Sequence, residues 1–390
     1  MNKKKIVFGA AFYWQSFLHI GSHQYAKAFA RNDYRVAYIS EPISPMHLAF
    51  AKDRGVLREK FCSWNKGGEW VEEGKIWAYV PLTFLPVHNR PFLRSRFTLN
   101  NSHRFTLPSI GNVLRRNEFD QSDIVFLDEA YDYLLDMVNH KKSIFRLHDD
   151  IGYLHKKGYE NFLEKEKEVI QEVDLVVAVS KRLEMTAREL GAKKVLYLPN
   201  GADFEFFCSS SDTLPGEYKS IPRPRIIYAG SINYWFDVDL VAYVASRLPK
   251  VSFIFVGKPT IDISKIAELS NVYLLGKRDH TTLASYLKNA DVGLLPYNPT
   301  LSRIIFAHPI KLYEYMACGL PVVSMKWEEV ESINSPARLA SDYEEFVQQI
   351  REALDEKDRS KYLEFAKANS WDERFKSLMA ELQLNVSTHT

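Results

Sequence analysis

The sequence predicts an α/β protein with two parallel sheets flanked by helices. Apolar segments of strand length alternate with segments of helical periodicity along almost all of the 390 residues, and this alternation is typical of βαβ units. At this length, and with 46% hydrophobic residues, the chain can bury two cores of ordinary domain size. Residues 199–224 are rich in proline and turn-forming residues and lack periodicity, as a linker does. The prediction is two Rossmann-like domains facing across a cleft.

Predicted strands and helices follow each other in both halves of the chain. The predicted strands of the first half are 5–10, 35–39, 76–80, 123–127, 143–147, 174–179 and 194–198, with helices at 22–32, 130–139, 159–171 and 181–190. Those of the second half are 225–229, 251–256, 272–275, 291–295 and 320–324, with helices at 237–248, 262–269, 280–289, 309–317 and 342–355. Because ligands of such sheets bind outside the carboxyl ends of the strands, we expect those loops to carry the chemistry.

Composition and charge exclude several classes of function. The net charge is +2, so no global field indicates a nucleic-acid-binding protein. Three widely spaced cysteines, Cys62, Cys208 and Cys318, favour reduced thiols and a cytosolic chain. No apolar run approaches the roughly 20 residues of a membrane span. The short apolar run near the N-terminus is typical of a first strand rather than of a signal peptide, so we expect a soluble protein.

The segment 288–324, KNADVGLLPYNPTLSRIIFAHPIKLYEYMACGLPVVS, is the most informative in the chain. It predicts a buried strand, a loop that brings His308 to a helix begun by Pro309, a glycine stop and a second buried strand. Lys311 and Glu314 are neighbours on one face of that helix. A helix N-terminus with a lysine one turn in is an anion site, and a glutamate one turn deeper can accept hydrogen bonds from a diol.

Phosphate plus diol describes the nucleotide half of an activated sugar. The alternative for the pair alone is an exposed Lys311–Glu314 salt bridge, worth under about 1 kcal/mol. The surrounding pattern favours the nucleotide, because the segment resembles the donor-binding signature of GT-B glycosyltransferases, P-x-K-x-x-E-x-x-A-x-G-x-P-V-V. Many retaining members carry two glutamates eight positions apart. Here the first of those positions holds Phe306, so the resemblance does not imply retention.

Other segments extend the resemblance beyond this helix. They are LPNGAD at 198–203, IIYAGSI at 226–232, NVYLLGKR at 271–278 and a terminal helix from Trp371. GSINYWFD and the KxxE variant are most similar to bacterial cell-surface polysaccharide enzymes, including the teichuronic-acid biosynthesis type. The resemblance implies an acceptor domain at 1–203, a linker at 204–222, a donor domain at 223–370 and a C-terminal helix, 371–390, that crosses back to the first domain.

The resemblance also implies a donor pocket around Lys311 and Glu314. Its other predicted residues lie at strand ends and at the helix start: Gly230, Ser231, Arg278, Pro296, Tyr297, His308 and Pro309. Many relatives have an arginine and a lysine where this chain has Ser231 and Phe236, so the diphosphate must depend on Lys311 and on backbone groups. Arg278 is a candidate lid over the nucleobase. The alternative for its loop, and for the loop that begins at Pro296, is ordinary turn chemistry.

A D-x-D pair follows the first strand of the second half. Asp237 and Asp239 superficially resemble a metal site, but both fall in a first helical turn, where an N-cap role is the favoured interpretation of Asp237. GT-B enzymes generally need no metal ion. The prediction is therefore no cofactor and no metal, with a UDP-sugar as the expected donor.

The strand at 143–147 runs into titratable side chains, RLHDD at 146–150. Such groups at a strand end rarely serve packing, because burial there would cost them solvation. In GT-B enzymes a carboxylate or histidine of this loop reaches the acceptor, and an inverting transfer needs a base for the acceptor hydroxyl proton. We predict Asp149, then Asp150, as that base, with His148 orienting it or contacting the donor. Either aspartate could instead be an N-cap or close an Asx-turn.

The stretch from Gly74 to Asn117 contains no aspartate or glutamate. It interleaves aromatic and aliphatic residues with basic ones, among them Arg90, Arg94, Arg96 and Arg104. A basic and apolar face suits an anionic membrane surface and a lipid-linked pyrophosphate acceptor. The alternative is a long loop whose arginines pair with acidic residues elsewhere in the chain. Nucleic acid is a poorer interpretation, because no binding motif accompanies the charge.

Together these features predict a cytoplasmic glycosyltransferase, peripherally bound to the inner face of the plasma membrane. It would move a sugar from a nucleotide-diphosphate donor to a lipid-linked surface polysaccharide. The alternatives are a sugar-nucleotide epimerase or hydrolase of the same shape, and a nucleotide-sugar-binding subunit without chemistry. A dinucleotide oxidoreductase is disfavoured, because no G-x-G-x-x-G follows any predicted strand.

Overall fold

A computed structural model describes residues 3–16, 21–50, 54–88, 90–149, 160–301, 304 and 307–384. The chain divides into two compact units, Met1–Leu198 and Pro199–Thr390. Each unit has its own sheet with helices between the strands, as the alternating pattern predicts. None of the described helices combines the length and the apolar character that crossing a bilayer requires.

The sheet of the first unit has eight strands in the order β3-β4-β2-β1-β5-β6-β7-β8. These are β1 (Lys5–Ala10), β2 (Arg35–Ser40), β3 (Glu69–Val71), β4 (Ile76–Tyr79), β5 (Gln121–Leu127), β6 (Asn139–Leu147), β7 (Leu175–Ala178) and β8 (Val195–Tyr197). Neighbouring strands are parallel except for the edge pair β3–β4. The described helices of this unit are Gly21–Arg31, Pro45–Phe50, Arg54–Asn65, Arg96–Asn101, Ile110–Arg116, Tyr133–Met137, Glu160–Glu172 and Lys181–Glu189, with a 3₁₀ turn at Ser102–Phe105.

The sheet of the second unit has six parallel strands in the order β11-β10-β9-β12-β13-β14. These are β9 (Arg225–Ala229), β10 (Ser252–Val256), β11 (Val272–Gly276), β12 (Val292–Leu295), β13 (Val322–Met325) and β14 (Arg338–Ala340). Its described helices are Phe204–Ser209, Val238–Arg247, Ser264–Ala267, His280–Lys288, Ile310–Ala317, Glu328–Ser332, Tyr343–Asp355, Ser360–Ala368 and Trp371–Leu384, with a 3₁₀ turn at Gly216–Lys219.

The central strands were predictable because they are apolar along nearly their whole length. Every residue of β9 and β12 is buried, as expected where helices cover both faces of a parallel sheet. The predicted bounds of these strands agree with the structure to within one residue. The elements without this signal escaped prediction. They are the short edge strands β3 and β14, several helices between residues 45 and 116, and the helices Phe204–Ser209, Glu328–Ser332 and Ser360–Ala368 of the second unit.

Residues 204–222, the predicted linker, pack within the second unit. The units divide at Leu198, before the predicted boundary at 203. Tyr218 is fully buried, and the Arg225 guanidinium, which lies 4.8 Å from its ring centroid, donates hydrogen bonds to the carbonyls of Tyr218 and Ile221. A segment with little periodicity can still be well packed, since single aromatic anchors give no repeating pattern.

The C-terminal helix begins at Trp371, as predicted, and belongs to the second unit. The backbone N–H of Trp371 donates to the carbonyl of Ala202 at 3.0 Å. Gly201 has no room for a side chain, because a Cβ there would lie 2.7 Å from the carbonyl oxygen of Asn369. The LPNGAD segment and the start of the last helix are therefore held against each other. That this helix crosses to the first domain stays a prediction.

Candidate functional site

The centre of the predicted donor site is the contact between Gly230 and Lys311. Gly230 follows β9, and Lys311 lies in the first turn of the helix Ile310–Ala317. A Cβ on Gly230 would lie 2.2 Å from Cε and 2.8 Å from Nζ of Lys311. Gly230 also has a φ of +151°, a region that glycine tolerates best. The glycine therefore lets the lysine side chain pass over the end of the strand.

A second glycine lets two strand ends approach each other beside this contact. Gly257 follows β10, and a Cβ there would lie 1.8 Å from the carbonyl oxygen of Gly230. The N–H of Gly230 donates to Val256 at 2.8 Å, and the N–H of Gly257 donates to Gly276 at 2.9 Å. The neighbouring strands β9, β10 and β11 thus end at a glycine or directly before one. Because glycine has no side chain, the backbone there permits close approach of a ligand.

Glu314 lies one turn deeper in the same helix and is half-buried. Burial raises the pKa of its carboxyl, while the nearby Lys311 ammonium and His280 oppose that shift. Within the described residues Lys311 and Glu314 form no ion pair, so the alternative of a plain surface salt bridge is not what the structure shows. Because this lysine and this glutamate do not pair with each other, both are available to bind a ligand.

Tyr297 and Tyr228 form a buried wall near these two residues. Their rings pack edge to face with centroids 6.4 Å apart, and the Tyr228 hydroxyl donates to the carbonyl of Ser231 at 2.9 Å. Burial raises the pKa of both phenols well above the usual value, so both stay neutral donors. The Pro296 carbonyl accepts from the N–H of Asp237 at 2.8 Å and joins this wall to the loop after β9.

His308 and Pro309 differ in detail from their predicted arrangement. The His308 side chain is fully buried, with Nδ1 2.8 Å from Glu329 Oε1 and Nε2 2.6 Å from the Tyr313 hydroxyl. Its imidazole therefore holds the loop in place, and only its backbone is available at the helix start. Pro309 is the N-cap, with ψ 102°, rather than the first helical residue. The carbonyl of His308 accepts a hydrogen bond from Asn200 at 3.1 Å.

Arg278 and Asp237 both form hydrogen bonds with neighbouring protein groups. The Arg278 guanidinium donates to Glu217 Oε1 at 2.7 Å and to the Tyr286 hydroxyl at 3.0 Å. This arginine thus fastens the 3₁₀ turn at 216–219, which is a different task from the predicted lid. The carboxylate of Asp237 accepts from the N–H of Leu240 at 2.9 Å, which confirms the N-cap interpretation.

The D-x-D pair is not arranged as a metal site. Asp239 pairs with Lys265, and in the described ranges no group of three or more potential ligand side chains is placed to hold a metal ion. Metal independence nevertheless stays a prediction.

In the first unit, the predicted base lies next to a buried ion pair. Arg146, in β6, donates to Asp128 Oδ1 at 2.8 Å, and the side chains are only 3% and 0% exposed. Burial would raise the pKa of Asp128, but Arg146 and His148 outweigh it and hold that pKa below the usual value. His148 lies with Nδ1 3.7 Å from Asp128 Oδ1. Asp149 is exposed, whereas Asp150 lies outside the described residues.

The sequence interpretation missed Glu129, which directly follows Asp128 at the carboxyl end of β5. Burial raises the pKa of Glu129 to about 8, with further contributions from the charges of Asp128, Glu41 and Asp149. Its carboxyl therefore stays mostly protonated at neutral pH. The signal was available, because two acidic residues end the buried strand IVFL just as HDD ends the next strand.

The predicted basic residues differ in their exposure and in their ion pairs. Arg96 donates to Glu168 and Glu164, at 2.5 and 3.3 Å, so the alternative of pairing with distant acids holds for this arginine. Arg104 and Arg90 are exposed, and Arg94 is partly buried. The basic face of the first unit is therefore smaller than the sequence predicts.

Residues 223–356 match the family described as Glycosyl transferases group 1. The matched residues lie within the second unit. The matched segment contains every predicted donor residue, and the match confirms the resemblance on which these residues were assigned. The chain is also 25% identical over 181 residues to the teichuronic acid biosynthesis glycosyltransferase TuaH of Bacillus subtilis, covering 44% of this chain and 45% of that protein. The chain thus matches less than half of that relative's length.

Solved structures extend the similarity to both units. Sucrose-phosphate synthase from Thermosynechococcus elongatus superposes with a TM-score of 0.66 at 15% identity, covering 100% of each chain. HepE of Anabaena, solved in complex with UDP and glucose, has a TM-score of 0.66 at 14% identity and covers 97% of this chain and 99% of its own. The fold is therefore GT-B, which confirms the predicted fold class.

Proposed function

We propose that this protein is a glycosyltransferase that takes a sugar from a nucleoside-diphosphate donor. The observation that carries the proposal is the Lys311 ammonium lying over Gly230, beside an unpaired Glu314. The ammonium and the N–H groups of the helix Ile310–Ala317 would bind the diphosphate. The Glu314 carboxylate would accept hydrogen bonds from the ribose hydroxyls. HepE, a protein of the same fold, was solved with UDP, which supports UDP as the nucleotide.

The mechanism requires no cofactor and no metal ion. Lys311 and the helix N-terminus would stabilise the negative charge that develops on the departing diphosphate. For an inverting transfer, the acceptor oxygen attacks the anomeric carbon while its proton passes to a carboxylate, and the bond between that carbon and the diphosphate breaks. We propose Asp149 as this base, with Asp150 as the second candidate and His148 in contact with the donor.

The acceptor we propose is a lipid-linked surface polysaccharide at the inner face of the plasma membrane. TuaH, named for teichuronic acid biosynthesis, supports a polysaccharide. The exposed Arg90 and Arg104 and the absence of acidic residues between Gly74 and Asn117 support a pyrophosphate-linked acceptor at an anionic surface.

The donor assignment is tested by calorimetry with UDP. Glu314→Ala should weaken UDP binding at least about tenfold, as expected for a lost charge-assisted pair worth roughly 1.5–3 kcal/mol. Glu331→Ala is the matched control, because Glu331 is a partly exposed glutamate of the same unit that pairs with Lys326. Unchanged UDP affinity of Glu314→Ala would refute the donor site.

The reaction is tested with a panel of radiolabelled nucleotide sugars, with and without lipid-linked acceptors, in the presence of EDTA. Transfer to the acceptor supports the proposal. Free sugar or an epimer would indicate the hydrolase or epimerase alternative, and binding without product would indicate a non-catalytic subunit. Loss of transfer on chelation would contradict the metal-independent mechanism.

A further inference from the structure

One segment of the first unit exposes an unusual number of large apolar side chains. They are Phe84 at 59%, Phe92 at 62%, Phe97 at 55%, Phe105 at 46% and Leu107 at 55% exposure, with Phe61 of a nearby helix at 39%. We call these six residues the phenylalanine surface. Single exposed apolar residues are common on proteins, but a concentration of them in one short stretch indicates an interaction site.

Backbone pairing explains why part of this surface points outward. Thr83 and Thr106 form an antiparallel bridge and are buried at 0% and 8% exposure. Neighbours in an extended chain point to opposite sides, so Phe84, Phe105 and Leu107 face away from the core. The N–H of Phe84 donates to Phe105 at 3.0 Å and holds the two chain segments together.

The rest of the surface is also held in place by specific contacts. Trp64, whose ring lies 4.9 Å from that of Phe61, donates its indole N–H to the carbonyl of Leu107 at 2.5 Å. The rings of Phe92 and Phe97 lie 6.4 Å apart, and the hydroxyl of the buried Thr98 donates to the carbonyl of Phe92 at 2.9 Å. The apolar side chains are therefore presented by an ordered backbone, which lowers the entropy cost of docking.

The charge around this surface indicates the chemistry of its partner. Arg104 is exposed next to Phe105, and Arg90 is exposed two positions before Phe92. No acidic residue occurs in the sequence from Gly74 to Asn117. Apolar side chains flanked by arginines, without acids between them, complement an anionic bilayer, whose headgroups attract the cations while its interior accepts the aromatic rings.

We propose that the phenylalanine surface docks on an anionic bilayer by inserting its aromatic side chains below the headgroups. The inference rests on the proposed function, since it names the way in which the enzyme would reach a lipid-linked acceptor. Insertion predicts that the apolar side chains and the arginines both contribute to binding. Salt screens the attraction of Arg104 for headgroups but does not remove the apolar contribution, so high salt weakens binding without abolishing it.

The test is cosedimentation of the full chain with vesicles of phosphatidylglycerol and phosphatidylcholine, compared with phosphatidylcholine alone, at about 0.05 M and about 0.5 M NaCl. The variant Phe92→Ser/Phe97→Ser should bind anionic vesicles at least about tenfold more weakly at both salt concentrations. Both side chains are exposed, so the fold should be unaffected. Met185→Ser is the matched control, because Met185 is 50% exposed in the same unit. This variant should bind vesicles like the unchanged protein. Arg104→Gln should weaken binding chiefly at low salt.

Two results with the double variant would overturn this inference. One is vesicle binding by the double phenylalanine variant that equals that of the unchanged protein. The other is lipid-free self-association that the same variant abolishes, which would identify a second copy of the chain as the occupant. Calorimetry with UDP keeps the two proposals apart. If the unchanged protein binds UDP but not anionic vesicles, only the docking surface is refuted. If it binds anionic vesicles but not UDP, only the donor site is refuted.

Discussion

At the residue scale, two features favour glycine at position 230: its φ of +151° is rarely adopted by other residues, and the Lys311 side chain occupies the space that a Cβ would take. The same relation occurs in the first unit, where a Cβ on Gly21 would lie 2.5 Å from the guanidinium carbon of the buried Arg146. In both places a glycine at a carboxyl end of the sheet lets a cation lie against the backbone. The cation's position is therefore encoded by a residue distant from it in sequence.

Gly230→Ala should displace Lys311 and weaken UDP binding at least about tenfold, the scale of a lost charge-assisted hydrogen bond. Because the two residues act through one contact, the double variant Gly230→Ala/Lys311→Met should bind UDP no more weakly than Lys311→Met alone. Gly216→Ala is the control, since a Cβ at Gly216 meets no atom within 4 Å. Additive losses, measured by calorimetry, would show that the glycine acts independently of the lysine.

Glu129→Gln should change the pH dependence of stability. The pKa of Glu129 is raised from its usual 4.5 to about 8 in the folded protein. The folded state therefore favours the protonated carboxyl, and this contribution to stability is complete below the unfolded pKa and is lost as pH rises through about 8. A neutral glutamine has no proton to lose. The stability of the variant therefore increases relative to that of the unchanged protein as the pH rises.

The measurement is the difference in Tm between variant and unchanged protein at acidic and alkaline pH. From about pH 5 to about pH 9, that difference should shift by well over about 4 °C in favour of Glu129→Gln, because each tenfold change in proton affinity is worth about 1.4 kcal/mol and about 1 kcal/mol moves the Tm of a unit of this size by about 2–4 °C. Glu189→Gln, which alters an exposed carboxyl of the same unit, should show no such trend. A constant difference across the range would mean that Glu129 titrates normally.

At the element scale, the segment 204–222 is an integral part of the second unit rather than a tether. Its helix Phe204–Ser209 is capped by Asp203, which accepts from the N–H of Phe206. Its 3₁₀ turn is held by Glu217, through Arg278 and Tyr286. This contact accounts for Arg278 without a ligand, because its guanidinium binds the carboxylate of Glu217.

Arg278→Ala should therefore lower stability without affecting the nucleotide. We expect a loss of about 0.5–1.5 kcal/mol in the free energy of unfolding, measured with urea, from the lost hydrogen bonds to Glu217 and Tyr286. UDP affinity should stay within about twofold, well below the loss of an anchoring charged contact. Arg223→Ala, which removes the ion pair with Asp291, is the comparison for stability. A tenfold loss of UDP affinity would restore Arg278 as the nucleobase lid.

At the scale of the whole molecule, both units place their candidate residues at the carboxyl ends of parallel strands. In the first unit these are Asp128 and Glu129 after β5 and His148 and Asp149 after β6. In the second, Gly230 follows β9 and Lys311 enters from the helix after β12. This placement agrees with the general rule for open α/β sheets, and the apolar strands made it predictable because burial on both faces leaves a strong signal.

Prediction from the sequence was weaker for charged residues whose role depends on which acidic side chain they contact. His308, Arg278 and Arg96 were all assigned to ligand or membrane, yet the structure pairs them with Glu329, Glu217 and Glu168. Each partner comes from a different element, so no local pattern could reveal it. Charge alone does not distinguish a structural ion pair from a binding residue.

The sequence alone determined the fold class, the order of most strands and the helix that bears Lys311 and Glu314, because alternating hydrophobicity and helix-end residues act over a few neighbouring positions. Only the tertiary structure decided which charged groups remain available. It placed Lys311 over Gly230 without an ion pair to Glu314 and buried Asp128 against Arg146. It also raised the pKa of Glu129, by burial and by the charges of three nearby carboxylates. Electrostatic interactions depend on distance in space and on burial, and both are set by the packing of elements far apart in the chain.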